Sequence, residues 1–199
     1  MSYNTDTNLA YNTYSGIKSY AYKVIALLFP NDTLWKLIKY NYRDVLNPSV
    51  ANLTASEKVG LIWTGELADG EIEYDKYRVF QQASTDNVFL DRTTQMRVYV
   101  DGVYPDNAIM GTVDIKIEIL THSNLNGLTD TQVTRLSIML EEILKTLNGS
   151  YIDGIGNLYF NADATRRNNA KYAINNGQNY LGYIIVMSTK TSKISSTSC

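Results

Sequence analysis

His122 is the one histidine of the chain and Cys199 the one cysteine, so any imidazole or thiolate chemistry has to pass through them. A Ser-His-Asp or Cys-His site needs its imidazole oriented by a third group. His122 stands in Thr121-His-Ser-Asn124, just past a β-prone run and without a local acid, and reads as a polar loop histidine. Zinc sites gather several His or Cys ligands, and one of each makes no such set. Cys199 is the last residue, so no internal disulfide is expected and reducing surroundings suffice. Oxygen-only calcium binding would fall on Asp101-Gly-Val-Tyr-Pro-Asp106, which lacks the alternating ligands and closing glutamate of an EF-hand loop. Gly154-Ile-Gly156 opens no long helix, so it reads as loop punctuation and not as a phosphate cradle. Glu141 and Glu142 occupy adjacent helical positions, diverge, and are expected to be solvated. Asn148-Gly-Ser150 has the form of a glycosylation acceptor, but no secretion signal accompanies it. Trp35 and Trp63, with the tyrosines, could stack on sugars; no single strand face gathers them, and core or interface packing is the expectation. No catalytic, cofactor-binding or metal-ligating residue is assigned, and the chain is expected not to be an enzyme.

The elements around these residues follow from period and punctuation. Met1–Asn12 is polar, repeats Tyr-Asn and shows no hydropathy period, as a loose arm would. From Tyr14 to Phe29, Ile17, Ala21, Val24, Ala26 and Leu28 recur at helical spacing until Pro30. Asn31-Asp32 caps a second helix carrying Leu34, Trp35, Leu37 and Ile38. Thr54-Ala-Ser-Glu57 has capping-box spacing and predicts a helical turn through Val59, Leu61 and Ile62. Leu67–Asp75 is acidic and reads as an exposed loop. Tyr77–Gln81 and Thr94–Val103 read as strands. Val113-Asp-Ile-Lys-Ile-Glu-Ile119 alternates without error, placing four β-branched residues opposite Asp114, Lys116 and Glu118. Pro105-Asp-Asn107 marks the hairpin turn between the last two strands. Thr129-Asp-Thr-Gln132 predicts the capping box of a major helix with Val133, Leu136, Leu140, Ile143, Leu144 and Leu147 on one stripe, stopped by Asn148-Gly149. Leu158–Phe160 is a short strand, Asn161–Asn179 an irregular polar loop, and Tyr180–Ser188 the final strand. Lys190–Cys199 reads as disordered.

Composition bounds the function. The 199 residues carry 44% hydrophobic and 11% aromatic residues, enough for one core. Charged residues are only 19%, with 16 tyrosines, a chemistry suited to protein interfaces; AT-rich codon usage would give the same bias. A net charge of −2 provides no basic field to hold a nucleic-acid backbone, whereas a mildly acidic wall would let DNA slide past. Val24–Phe29 is too short to cross a bilayer, and no membrane association is expected. One α+β domain is expected over 13–188, with a flexible arm at 1–12 and a disordered tail at 189–199. Its small, mainly antiparallel sheet would pack against two principal helices, with extended arms and loops.

The order of helix, antiparallel strands, second helix and returning strand resembles the tail terminator and neck (head–tail connector) proteins of tailed bacteriophages. The similar stretches are Thr94–Leu120, Thr129–Leu147 and Gly182–Ser188. The regions Asn31–Asp75 and Asn161–Asn179 are longer than a minimal terminator needs, which leaves the neck layer, and a ring of six or twelve subunits, open. The resemblance implies a virion structural subunit assembled in the host cytoplasm. Its partners would be further copies of itself and other neck, portal or tail proteins, and DNA would pass through the ring without sequence-specific binding. It implies no catalytic residue and no cofactor. Strand Thr94–Tyr104 would offer an edge for a neighbour's strand. The alternatives are a monomeric, tyrosine-rich binding module for glycan or protein, and a small enzyme with an oxygen-only metal site.

Overall fold

Residues 19–63, 76–83, 92–105, 110–152, 155–172 and 179–192 are described by the computed structural model. The arm Met1–Asn12, the loop Leu67–Asp75, the turn residues Asp106 and Asn107, Gly154 and the tail past Ser192 lie outside these residues.

Apolar spacing and caps fix the first helices. Helix α1 (Tyr20–Leu28) buries Ala21, Val24, Ile25 and Leu28, one stripe of a 3.6-residue period. Pro30 follows its C-cap, Phe29. Asn31 then caps α2 (Asp32–Lys39), its side chain accepting from the Leu34 N–H at 3.0 Å. Leu34, Trp35, Leu37 and Ile38 are fully buried, and the Trp35 indole N–H donates to the Leu28 carbonyl at 3.0 Å. The Thr54–Glu57 capping box forms and opens α3 (Ala55–Gly60). From α3, Lys58 reaches back to Asp32 at 2.6 Å and to the Phe29 carbonyl at 2.8 Å, tying the helix to the α1–α2 junction.

The alternating run becomes the middle of the sheet. Strand β1 (Val79–Phe80) lies parallel to β2 (Thr94–Pro105), which pairs antiparallel with β3 (Met110–His122). After a single turn, α4 (Ser123–Asn126), comes α5 (Arg135–Leu147). A small hairpin of β4 (Tyr151–Ile152) and β5 (Gly156–Asn157) precedes β6 (Tyr159–Phe160), α6 (Ala162–Tyr172) and β7 (Tyr180–Ser192). The main sheet runs β1-β2-β3-β7-β6, antiparallel except for β1. Val113, Ile115, Ile117 and Ile119 are buried with Met96, Val98, Ile185 and Met187 beside them. Each such side chain contributes about 1.5–3 kcal/mol. Helices α1, α2 and α5 cover this face in one core; Ala164 of α6 packs on Ile184 and Val186, which point to the other face of β7.

Several local expectations change. Helix α5 begins at Thr134, whose hydroxyl accepts from the Ser137 N–H at 3.2 Å. The capping box expected at Thr129–Gln132 does not form because that loop is held elsewhere: the Thr129 N–H donates to the Arg43 carbonyl, and Asp130 accepts from the Leu46 N–H at 2.6 Å. Gln132 takes a left-handed φ of 57°, so Val133 precedes the helix and is exposed. The buried stripe of α5 is Arg135, Met139, Ile143 and Leu147, with Leu136, Leu140 and Leu144 on its partly buried flanks. Asn161–Asn179, expected as an irregular loop, contains α6. At its start the Asn161 side chain accepts from the Ala164 N–H at 3.0 Å. Its body lacks an apolar stripe and is held by polar contacts to β7. Finally, β7 continues past Ser188 to Ser192 because Thr189, Lys190, Thr191 and Ser192 stay in register with Val113, Thr112, Gly111 and Met110.

Candidate assembly edge

The residues weighed for chemistry are dispersed. His122 closes β3 and is 8% exposed, not a loop residue. Its Nδ1 accepts from the Asn124 N–H at 3.2 Å, which caps α4, and its ring meets Tyr180 edge-on at 5.4 Å. Asp101 pairs with Lys116 at 2.7 Å. Gly156 has a φ of +107°, and a Cβ there would sit 3.2 Å from the Lys190 carbonyl oxygen, so it serves the close approach of a hairpin to β7. Glu141 is exposed as expected, whereas Glu142 is half-buried and accepts from the Asn31 side chain at 2.8 Å. Asn148 caps α5 and accepts from the Phe160 N–H at 2.9 Å, while Gly149 takes the left-handed turn at φ 83°. Trp35 is core, and Trp63 packs on Phe80 with ring centres 6.4 Å apart. Among the described residues, no group of three or more His, Cys, Asp or Glu is placed to hold a metal ion.

Buried charge in the molecule serves the fold. Arg135, missed in the sequence because it begins an apolar stripe, is fully buried. Its guanidinium donates to the carbonyls of Leu125 (3.1 Å), Leu37, Tyr40 (3.0 Å) and Tyr42 (2.6 Å). Burial pulls its pKa down to about 10. The sheet face opposite the helices is also polar beneath its surface. Arg97 and Glu118, both buried, pair at 3.2 Å. Ser188 donates to Asp114 at 2.5 Å and accepts from Asn161 at 2.9 Å. Burial, with Glu118 and Asp101 nearby, pushes the Tyr99 hydroxyl up to about 12.

The two long borders of the sheet are treated differently. On the β7 side, β6 pairs with Met187 and Ser188. Beyond it, α6 closes the border with side chains. The Val186 N–H donates to Thr165 Oγ1 at 2.9 Å. The Ile184 N–H donates to Asn169 Oδ1 at 2.9 Å, and Asn169 Nδ2 donates back to the Ile184 carbonyl at 2.7 Å. Asn169 therefore occupies the place of a strand residue. On the β2 side, β1 pairs only with Met96 and Arg97. Among the described residues no strand pairs with the outer side of Val98–Pro105. A register shift between Val100 and Gly102 makes Asp101 an extra residue in this border.

These features define an α+β sheet protein in which, among the described residues, α6 and β6 cover the β7 border and no strand covers the outer side of Val98–Pro105. A family model described as YomW matches residues 31–189, most of the chain, and the chain belongs to that family, which is bacteriophage-related. No curated protein and no solved structure matches it. No helix among the described residues is long and apolar enough to cross a membrane.

Proposed function

We propose that this chain is a structural subunit of a virion, closing with further copies into a ring at the head–tail connector or at the end of the tail tube. The observation that carries this reading is the asymmetry of the sheet: α6 and β6 seal β7, and β2 keeps backbone groups directed outward from Val98 onward. An unsealed strand is a template for another chain. Membership in a bacteriophage-related family supports the setting. The formal charge of −2 suits a wall along which DNA slides. The experiment is electron microscopy of the purified protein together with light scattering. Closed rings of one stoichiometry are the expected result, and a monomer at every concentration would overturn the reading.

A second reading, a monomeric binding module for glycans, has its own observation. Tyr159 shares a row across the sheet with Ser188, Asp114 and Gly102, and Tyr104 lies over Gly102. Both tyrosines are exposed, so two aromatic rings border a polar strip on one face. Binding to a glycan array by a monomer, lost in Tyr104→Ala and Tyr159→Ala, would favour it.

A further inference from the structure

The outer border of β2 shows which backbone groups a partner would meet. The Met96 N–H donates to the Arg78 carbonyl at 2.8 Å, on the β1 side. Strand parity directs the N–H and C=O of Val98 and Val100 to that same side. Past the bulge, Gly102 pairs with Asp114 and Tyr104 with Thr112, so Val103 and then Pro105 face outward. Pro105 has no N–H to give, and its position marks the end of the usable border. A bulge and a proline blunt this border against a second copy of itself, because a β2–β2 pairing would bring both irregularities into one ladder. A separate, regular strand is the occupant that fits.

Ahead of Ser19, the first described residue, the sequence carries a pattern that suits such a strand. In residues 3–13, Tyr3, Thr5, Thr7, Leu9, Tyr11 and Thr13 alternate with Asn4, Asp6, Asn8, Ala10 and Asn12. One set is aromatic, β-branched or apolar, and the other is mostly amide or acid, which is the two-residue period of a strand with one packed face. Hydropathy does not register this period, because threonine, tyrosine and asparagine all count as polar. At ~3.3 Å per residue the eleven residues reach roughly 36 Å, beyond the roughly 26 Å of Val98–Pro105.

We propose that residues 3–13 of one copy add as a strand to the outer border of β2 in a neighbouring copy. The proposal rests on the ring reading above and names its contact. Arm and border are unlike surfaces, so the contact is heterologous and propagates until a ring closes.

Complementation tests it. A chain lacking residues 1–13 keeps the acceptor border and loses the donor. The full-length variant Val100→Pro keeps the donor and loses an outward N–H of the acceptor. Each alone is expected to be a folded monomer by light scattering and thermal melting, and their mixture a 1:1 complex. Should Val100→Pro fail to fold, amide exchange decides. Val98, Val100 and Val103 are expected to be protected in the full-length protein, to lose protection in the truncated chain, and to regain it on adding a peptide of residues 2–14. If the truncated chain assembles as the full chain does, this contact is wrong while the ring reading stands. If the full-length chain is monomeric throughout, whether or not its own arm protects β2, both fail.

Discussion

Arg135 sends every one of its hydrogen bonds to a carbonyl oxygen, gathering the end of α2, the bend at Tyr42 after it and α4 around the first turn of α5. Arg135→Met fills similar volume but leaves the buried carbonyls of Leu125 and Leu37 without this donor. A loss of about 1–3 kcal/mol is expected in a denaturant titration, since a buried acceptor left without its donor keeps its desolvation cost. His122 behaves on a smaller scale. Its alanine variant removes the α4 cap and the Tyr180 contact, and about 1–2 kcal/mol of stability is expected to go with them. Glu57 offers a pH test. The Lys39 ammonium, and then the Thr54 backbone N–H and hydroxyl, lower its pKa to about 2. A carboxylate depressed in the folded state contributes stability above its unfolded pKa, near 4.5, and loses it as pH falls through the folded value. The wild type should therefore lose more stability than Glu57→Gln between those two values, with the difference reduced by salt because the pair is exposed.

At the scale of elements, α5 and α6 are held in opposite ways. Helix α5 is held by its apolar stripe, so Met139→Ala is expected to cost about 2–5 kcal/mol and Leu140→Ala, on the flank, distinctly less. Helix α6 is held through amides. Asn169→Leu leaves the Ile184 N–H and C=O unpaired, with an expected loss of about 1–3 kcal/mol and faster amide exchange at Ile184. This contrast explains what was legible in the sequence. Strand β3, α2 and the Thr54–Glu57 cap announce themselves through apolar period or local hydrogen-bond spacing. The start of α5 was misplaced because Asp130 and Thr129 answer to residues 43 and 46, far away in sequence. Helix α6 was missed because its reason for existing is the unpaired backbone of β7, which no local pattern contains. The outer border of β2 was legible only as an exposed strand. That α6 covers the β7 side, while among the described residues no strand covers Val98–Pro105, depends on Thr165 and Asn169 meeting β7.

For the whole molecule, the absence of a net positive charge leads to a plain expectation. Duplex DNA at physiological salt should show no shift with the purified protein in a gel, because few counterions would be released on contact. A shift that weakened steeply with added salt would point to a basic surface and would count against the channel-wall role.

The amide of Asn169 sits where a neighbouring strand would otherwise dock, and this sets the valence of the sheet. With β7 closed, the sheet of the described residues has one socket and no matching plug. Socket joined to socket yields a pair with nothing left over, and growth stops at two. A cyclic chain of subunits demands that each carry a socket and an unlike plug, so the plug has to come from outside the sheet. By the same count, a single change that frees β7, such as Asn169→Leu, supplies a second socket on the opposite flank. Such a variant is predisposed to branch or to stack without end, and its failure in assembly would be one of excess valence, not of lost affinity.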